Sequence, residues 1–300
     1  MLQVEMQIGD WPGVGLAQLN LGETLRMQGD YGQARDLLER ALATVREVGA
    51  VHEWRVLACR SRLDLYLGDI VGARQRLALL SDAPDLEQLP EVKTFALLTQ
   101  ALLALHCGEP GCALAHTDEA RRLQQGLTNP YDGAATLIVL GHAATAAGHY
   151  ADARAAYQQA VSLCEMLKAP TLAAEGYAGL ANAAAAEGNG EEALAHVEAL
   201  LAILAEHPRA GVDEPFSTYL ACYRVLAAAG DRRATHILAQ GYALLMDYAE
   251  HIEDEALRQS FLENVPEHRE LRRLYAQHTA SQPRGDEHPA GHSDAQRLAS

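Results

Sequence analysis

Lysine is almost missing from this chain. Of 24 basic residues only Lys93 and Lys168 are lysine, against 40 acidic ones, and the formal net charge is −16. So acidic a surface repels phosphate backbones and argues against a nucleic-acid partner. Cysteine is sparse too. The five present are an odd number without regular spacing, which fits buried apolar fillers in a reducing compartment, not a disulfide framework. The opening MLQVEMQIGDWPG has no basic segment leading into an apolar one, so it is not a secretory leader. Long apolar runs are also lacking. The longest, from Leu137 to Ala147, contains Gly141 and His142 and falls far short of a membrane span. These features predict a soluble cytoplasmic protein with no membrane partner.

Catalytic motifs are absent as well. There is no G-x-x-x-x-G-K-[ST] phosphate loop, no G-x-S-x-G, no H-E-x-x-H and no paired-cysteine metal motif. The expectation is a protein that is not an enzyme and carries no cofactor and no metal. One cluster invites a metal reading: His106, Cys107, Cys112 and His116 surround the turn GEPG. Its spacing matches no familiar zinc class, so the residues are read as a helix end and its flanks.

What is present is a period. Gly29, Gly68, Gly108, Gly148, Gly188 and Gly230 are spaced by 39, 40, 40, 40 and 42 residues. An acidic or amide residue follows most of them: Asp30, Asp69, Glu109, Asn189 and Asp231. Five positions after the glycine stands alanine: Ala34, Ala73, Ala113, Ala153 and Ala193. Seven positions before it stands a small residue: Gly22, Ser61, Ala101, Gly141 and Ala181. Such a repeat describes a helical hairpin. Glycine ends the first helix in the left-handed conformation, the chain reverses, and alanines mark where the two helices cross closely. Leucines at spacings of three and four fill the remaining face. No single hairpin buries its apolar faces, so the copies must stack.

The string LGETLRMQGDYGQARDLLERAL (Leu21 to Leu42) fills the signature slots of a known repeat through Leu21-Gly22, Leu25, Gly29, Tyr31, Ala34, Leu38 and Ala41-Leu42. LGHAATAAGHYADARAAYQQAV (Leu140 to Val161) does the same through Gly141, Gly148, Tyr150, Ala153, Tyr157 and Ala160. Both resemble the tetratricopeptide repeat. The remaining copies depart from it: Pro110 and Arg232 occupy the tyrosine slot, and Ala234 comes one position early. The resemblance implies an all-α, right-handed solenoid of stacked antiparallel hairpins. Its period of about 40 exceeds the usual 34 residues. Longer repeats of this kind resemble the tetratricopeptide region of the bacterial maltose-regulator class, where they follow an NTPase module in signalling and transcription regulators. DEALRQSFLENVPEHREL (Asp254 to Leu271) resembles the closing segment of those arrays.

The expected organisation follows. Six repeats run over 14–252, capping helices over 253–278, and a polar disordered tail over 279–300. Residues 1–13 read either as the remnant of a truncated preceding repeat or as a capping helix. Gly9 lies 40 residues before Gly49, and Leu2 and Ile8 match Leu42 and Val48. If they are a remnant, the solenoid starts with an exposed apolar end through which the chain can self-associate.

The resemblance places the binding surface on the concave face, lined by the first helix of each repeat. The family's inward slots fall on Asn20, Arg26, Arg55, Arg62, Tyr66, Phe95, His142, Asn182 and Arg224. Arginines gather at the N-terminal end and the centre is apolar, so the face reads either as a solvated set of ion pairs or as a peptide groove with a basic mouth. The carboxylate clamp of chaperone-binding relatives is not reproduced. The functional expectation is a scaffold for protein–protein interaction, the arm of a bacterial signalling or transcription regulator. Its partner would be a protein or peptide, including an NTPase module in the same or another chain. The alternative is a sensor that takes a small molecule or peptide in the concave groove.

Overall fold

The computed structural model describes residues 11–48, 50–126, 129–209 and 215–281. The segments 1–10 and 282–300 lie outside the described residues, and with them Leu2, Ile8 and nearly all of the predicted tail. Within the described residues the regular structure is helical, without strands. The elements are α1 (Trp11–Met27), α2 (Tyr31–Val48), α3 (Ala50–Tyr66), α4 (Ile70–Ser81), α5 (Pro90–His106), α6 (Pro110–Gln124), α7 (Pro130–Ala146), α8 (Tyr150–Leu167), α9 (Pro170–Ala186), α10 (Gly190–Glu206), α11 (Pro215–Ala228), α12 (Arg233–Glu250), α13 (Glu255–Asn264) and α14 (Pro266–Ser281). Each odd-numbered helix from α1 to α11 packs antiparallel on its successor, and consecutive odd-numbered helices touch to form an inner layer. The fold is the expected all-helical solenoid.

The sequence register explains every hairpin. All six register glycines adopt positive φ, from 68° to 84°, a region that side chains with a Cβ enter at a cost. At each, the amide of the residue after the glycine bonds back five residues, as from Asp30 to the Leu25 carbonyl at 3.0 Å and from Asn189 to Ala184 at 2.9 Å. This is the glycine-terminated helix end the period implied. At some turns the residue after the glycine also caps the next helix: Asp69 accepts from the Gly72 amide at 2.9 Å and Asp30 from Gln33 at 3.1 Å, whereas Glu109 and His149 make no such bond. Ala34, Ala73, Ala113, Ala153 and Ala193 are all fully buried at the crossings. At Gly141 a Cβ would collide with the Tyr157 ring, and at Gly22 it would stand 3.1 Å from Leu38.

The ends behave differently from expectation. The repeats do not simply stack on sequence neighbours, because the last helices return to the first. One core joins Tyr31, Leu38, Leu63 and Tyr66 of the first two hairpins to Phe216, Leu220, Leu245, Tyr248, Phe261 and Leu271 of α11–α14. Tyr31 meets Tyr248 edge-on at 5.6 Å and Phe261 at 5.7 Å. Asn264 donates to the Gly68 carbonyl at 3.1 Å, and Arg35 pairs with Asp254 at 3.6 Å. Arg209 donates to the Gln28 carbonyl and pairs with Asp247 at 2.8 Å. The closing segment is thus more than a polar cap, since α13 and α14 tie both ends of the array together.

Candidate concave groove

The inner helices α1, α3, α5, α7, α9 and α11 line a concave face that holds two cavities. The first, about 290 Å³, lies where α3, α5 and α7 begin. Asn20 and Glu23 reach it from α1, Arg55 and Arg62 from α3, Glu91, Thr94 and Phe95 from α5, and Asp132 from α7. The second, about 410 Å³, lies where the inner helices end. Tyr66, His106, His142, Asn182 and Arg224 face it, and α14 adds Glu267 and Glu270.

Eight of the nine residues placed on this face by sequence line one of these cavities: Asn20, Arg55, Arg62 and Phe95 the first, and Tyr66, His142, Asn182 and Arg224 the second. Arg26 lines neither. It is 6% exposed, bonds Glu23 at 3.2 Å and lies over the Tyr66 ring at 5.4 Å. Arg62 is buried as well: its guanidinium stacks on Phe95 at 3.8 Å and donates to the Thr99 hydroxyl at 3.2 Å. The basic mouth is therefore corrected. Two of its three arginines are consumed by packing against aromatic rings and internal acceptors, which the neighbouring inner helices bring within reach. Arg55 alone stands exposed, and it shares its cavity with Glu23, Glu91 and Asp132.

Burial raises the Asp132 carboxyl above its ordinary range, and Glu91 adds to the rise. The Asn129 amide at 2.9 Å and the charges of Arg55 and Arg62 oppose it. In the second cavity His142 meets the buried Tyr157 hydroxyl at 2.7 Å. Burial lowers the His106 pKa against the pull of Glu267, and neither ring nitrogen of His106 has a hydrogen-bond partner. His268, beneath it on α14, is pushed down to about 3, by burial first and also by His106. Its ring lies 4.5 Å from Phe216 and 4.2 Å from Phe261.

The cysteines also part from expectation. Cys59, Cys164 and Cys222 are buried, but Cys107 and Cys112 are exposed at the turn between α5 and α6. His106 turns into the groove, Cys107 faces Arg74 at 3.3 Å and His116 is half-buried on α6. Among the described residues no group of three or more His, Cys, Asp or Glu is placed to hold a metal. Sequence reasoning missed Glu91, Thr94, Asp132, Glu267 and Glu270. The first three sit near helix starts, which family slots do not mark as inward. The last two come from a helix remote in the chain.

Comparison with known proteins agrees with this geometry. The tetratricopeptide repeat model matches residues 14–52 and 134–167. No curated protein sequence matches the chain significantly. Among solved structures, Rap protein complexed with Competence and Sporulation Factor is similar with a TM-score of 0.60 at 16% identity, covering 88% of this chain and 74% of Rap. PilW, a type IV pilus biogenesis factor, is similar with a TM-score of 0.51 at 18% identity, covering 80% of this chain and 97% of PilW. No helix of the described residues is long and apolar enough to cross a membrane. Two stretches of the chain thus match the tetratricopeptide repeat, and the whole shares the helical-solenoid fold of these structures.

Proposed function

We propose that this chain is a non-catalytic scaffold whose concave face receives a segment of a protein or peptide partner. The observation that carries this is the pair of cavities on one inner face, built from the six inner helices and, at the second cavity, from α14. Small residues line both cavities, Ala58 and Ala135 the first and Ala146 and Ala178 the second, which leaves room beside the inner helices. The fold shared with Rap, which was solved in complex with a factor, supports the same reading. The resemblance to the maltose-regulator class supports a place in a bacterial signalling or transcription regulator, beside an NTPase module. A sensor of small effectors is the second reading. The specific observation for it is the cavity of about 410 Å³ closed on one side by α14, a volume within the range of small-ligand pockets.

Ala146 is exposed and lines the second cavity. Ala146→Trp fills the groove without touching the core, so it should keep the melting temperature and lose partners captured from native lysate by the wild type. Undiminished capture by this variant moves the docking surface off the second cavity.

A further inference from the structure

We propose that the first cavity, where α3, α5 and α7 begin, holds a primary ammonium group carried on an apolar residue, supplied by the N-terminus of a peptide; this rests on the reading of the concave face as the docking surface. Three carboxylates line it: Glu23, Glu91 and Asp132. Two arginines, Arg55 and Arg62, share the lining, so three carboxylates face two guanidinium groups there and one negative charge is left over. Arg26 is engaged by one oxygen of Glu23 and by the Tyr66 ring, and Arg62 by the Phe95 ring and Thr99.

Two orphaned atoms point to the missing group. The second carboxylate oxygen of Glu23 is buried without a hydrogen-bond partner. Thr94, 2% exposed, lines the same cavity, and its hydroxyl has no partner either. Buried polar atoms left unpaired are costly, so they mark a place where a donor belongs. Burial raises the Asp132 carboxyl, which a cation beside it would reverse.

The geometry selects the kind of cation. The acidic side chains come from three different helices, α1, α5 and α7. They are not gathered closely enough to cage a metal ion. An ammonium offers three diverging donors on a compact centre, whereas a guanidinium holds its donors in one plane. Beside the polar Asn20, Asn129, Arg55 and Arg62, the wall has an apolar part formed by Leu19, Val92, Phe95 and Leu98, which an apolar side chain on the carrier of the ammonium would meet. A volume of about 290 Å³ suits a terminal residue and not a folded element.

The test uses the full chain and defined probes in calorimetric titration: Leu-Ala-Ala amide, its N-acetyl form, L-leucinamide and N-acetyl-leucine. The free tripeptide should bind, and acetylation should weaken it at least tenfold. Asp132→Asn and the near-isosteric Thr94→Val should each weaken the free tripeptide severalfold with unchanged melting curves. L-leucinamide matching the tripeptide would identify a small amine as the source of the ammonium, and a weaker L-leucinamide a peptide terminus. Equal binding of the acetylated form, tightest binding by N-acetyl-leucine, no binding of either free amine at millimolar concentration, or indifference to both variants overturns the proposal. If the probes fail while Ala146→Trp still abolishes capture, the ammonium site falls and the docking groove stands. If the probes bind while capture is unaffected, the ammonium site stands and the partner does not reach the second cavity.

Discussion

The two ends of the array and its middle are built from the same hairpin but held differently. In the middle, Gly108, Gly148 and Gly188 turn the chain in open space, and a Cβ at any of them would meet nothing within 4 Å. At the start of the array the equivalent glycines are wedged. Gly29 lies against the Tyr248 ring and Gly68 against the Ser260 carbonyl, while a Cβ on Gly32 would stand 2.7 Å from the His251 carbonyl. One local rule, a left-handed turn, therefore serves two purposes. In the middle it only ends a helix; at the start it also admits the last helices into contact. The middle is a solenoid whose stability sums over neighbours, and the closed ends add a core between segments remote in sequence.

The sharpest break of this comparison is to remove the core that joins the ends. Phe261 is fully buried there. Phe261→Ala should destabilise by about 3–5 kcal/mol in chemical denaturation. Amide protection should fall together in α2 and α12, which only the closure links. A loss confined to α13 would show that the ends touch without supporting one another.

A second test compares glycines. Gly148→Ala should cost about 1–2 kcal/mol, the strain of a left-handed alanine. Gly29→Ala should add roughly 1–3 kcal/mol for overlap with Tyr248. Equal melting temperatures for the two variants would contradict the wedged turn.

The third concerns pH. His268 stays neutral in the fold, with its pKa near 3, while its unfolded value is the ordinary 6.5. The unfolded chain therefore takes up a proton that the folded chain refuses. Stability from this group is complete above pH 6.5 and is lost as pH falls towards 3, at about 1.4 kcal/mol per unit. Between pH 6.5 and 5 the loss is about 2 kcal/mol. His268→Gln keeps a donor for the Phe261 carbonyl, accepted now from the ring at 2.7 Å. It should make the acid dependence shallower by that amount in denaturation measured at both pH values. An unchanged slope would place the imidazole in contact with water.

The repeats were legible because they obey local rules. A glycine every 40 residues, an alanine five positions later and a small residue seven positions earlier each report a backbone conformation or a helix crossing. Those are decided within one hairpin. The concave face was legible in part, since family slots name which residues of an inner helix face inward. They say nothing of what else arrives there. The stacking of Arg26 on Tyr66 and of Arg62 on Phe95 was not legible, because in each pair the ring is remote from its arginine in sequence.

The sequence by itself determined the helical hairpin, its register and the stacking of copies, because periodicity in apolar and small residues specifies faces and contact distances. Only the tertiary structure decided that the array closes, that two arginines are spent inside it, and that three carboxylates share one cavity with unpaired polar atoms. Those outcomes depend on the curvature summed over six hairpins, which brings α13 and α14 back to Tyr31 and Gly68. Each repeat contributes only a small rotation to that curvature, and no single repeat encodes where the end will land.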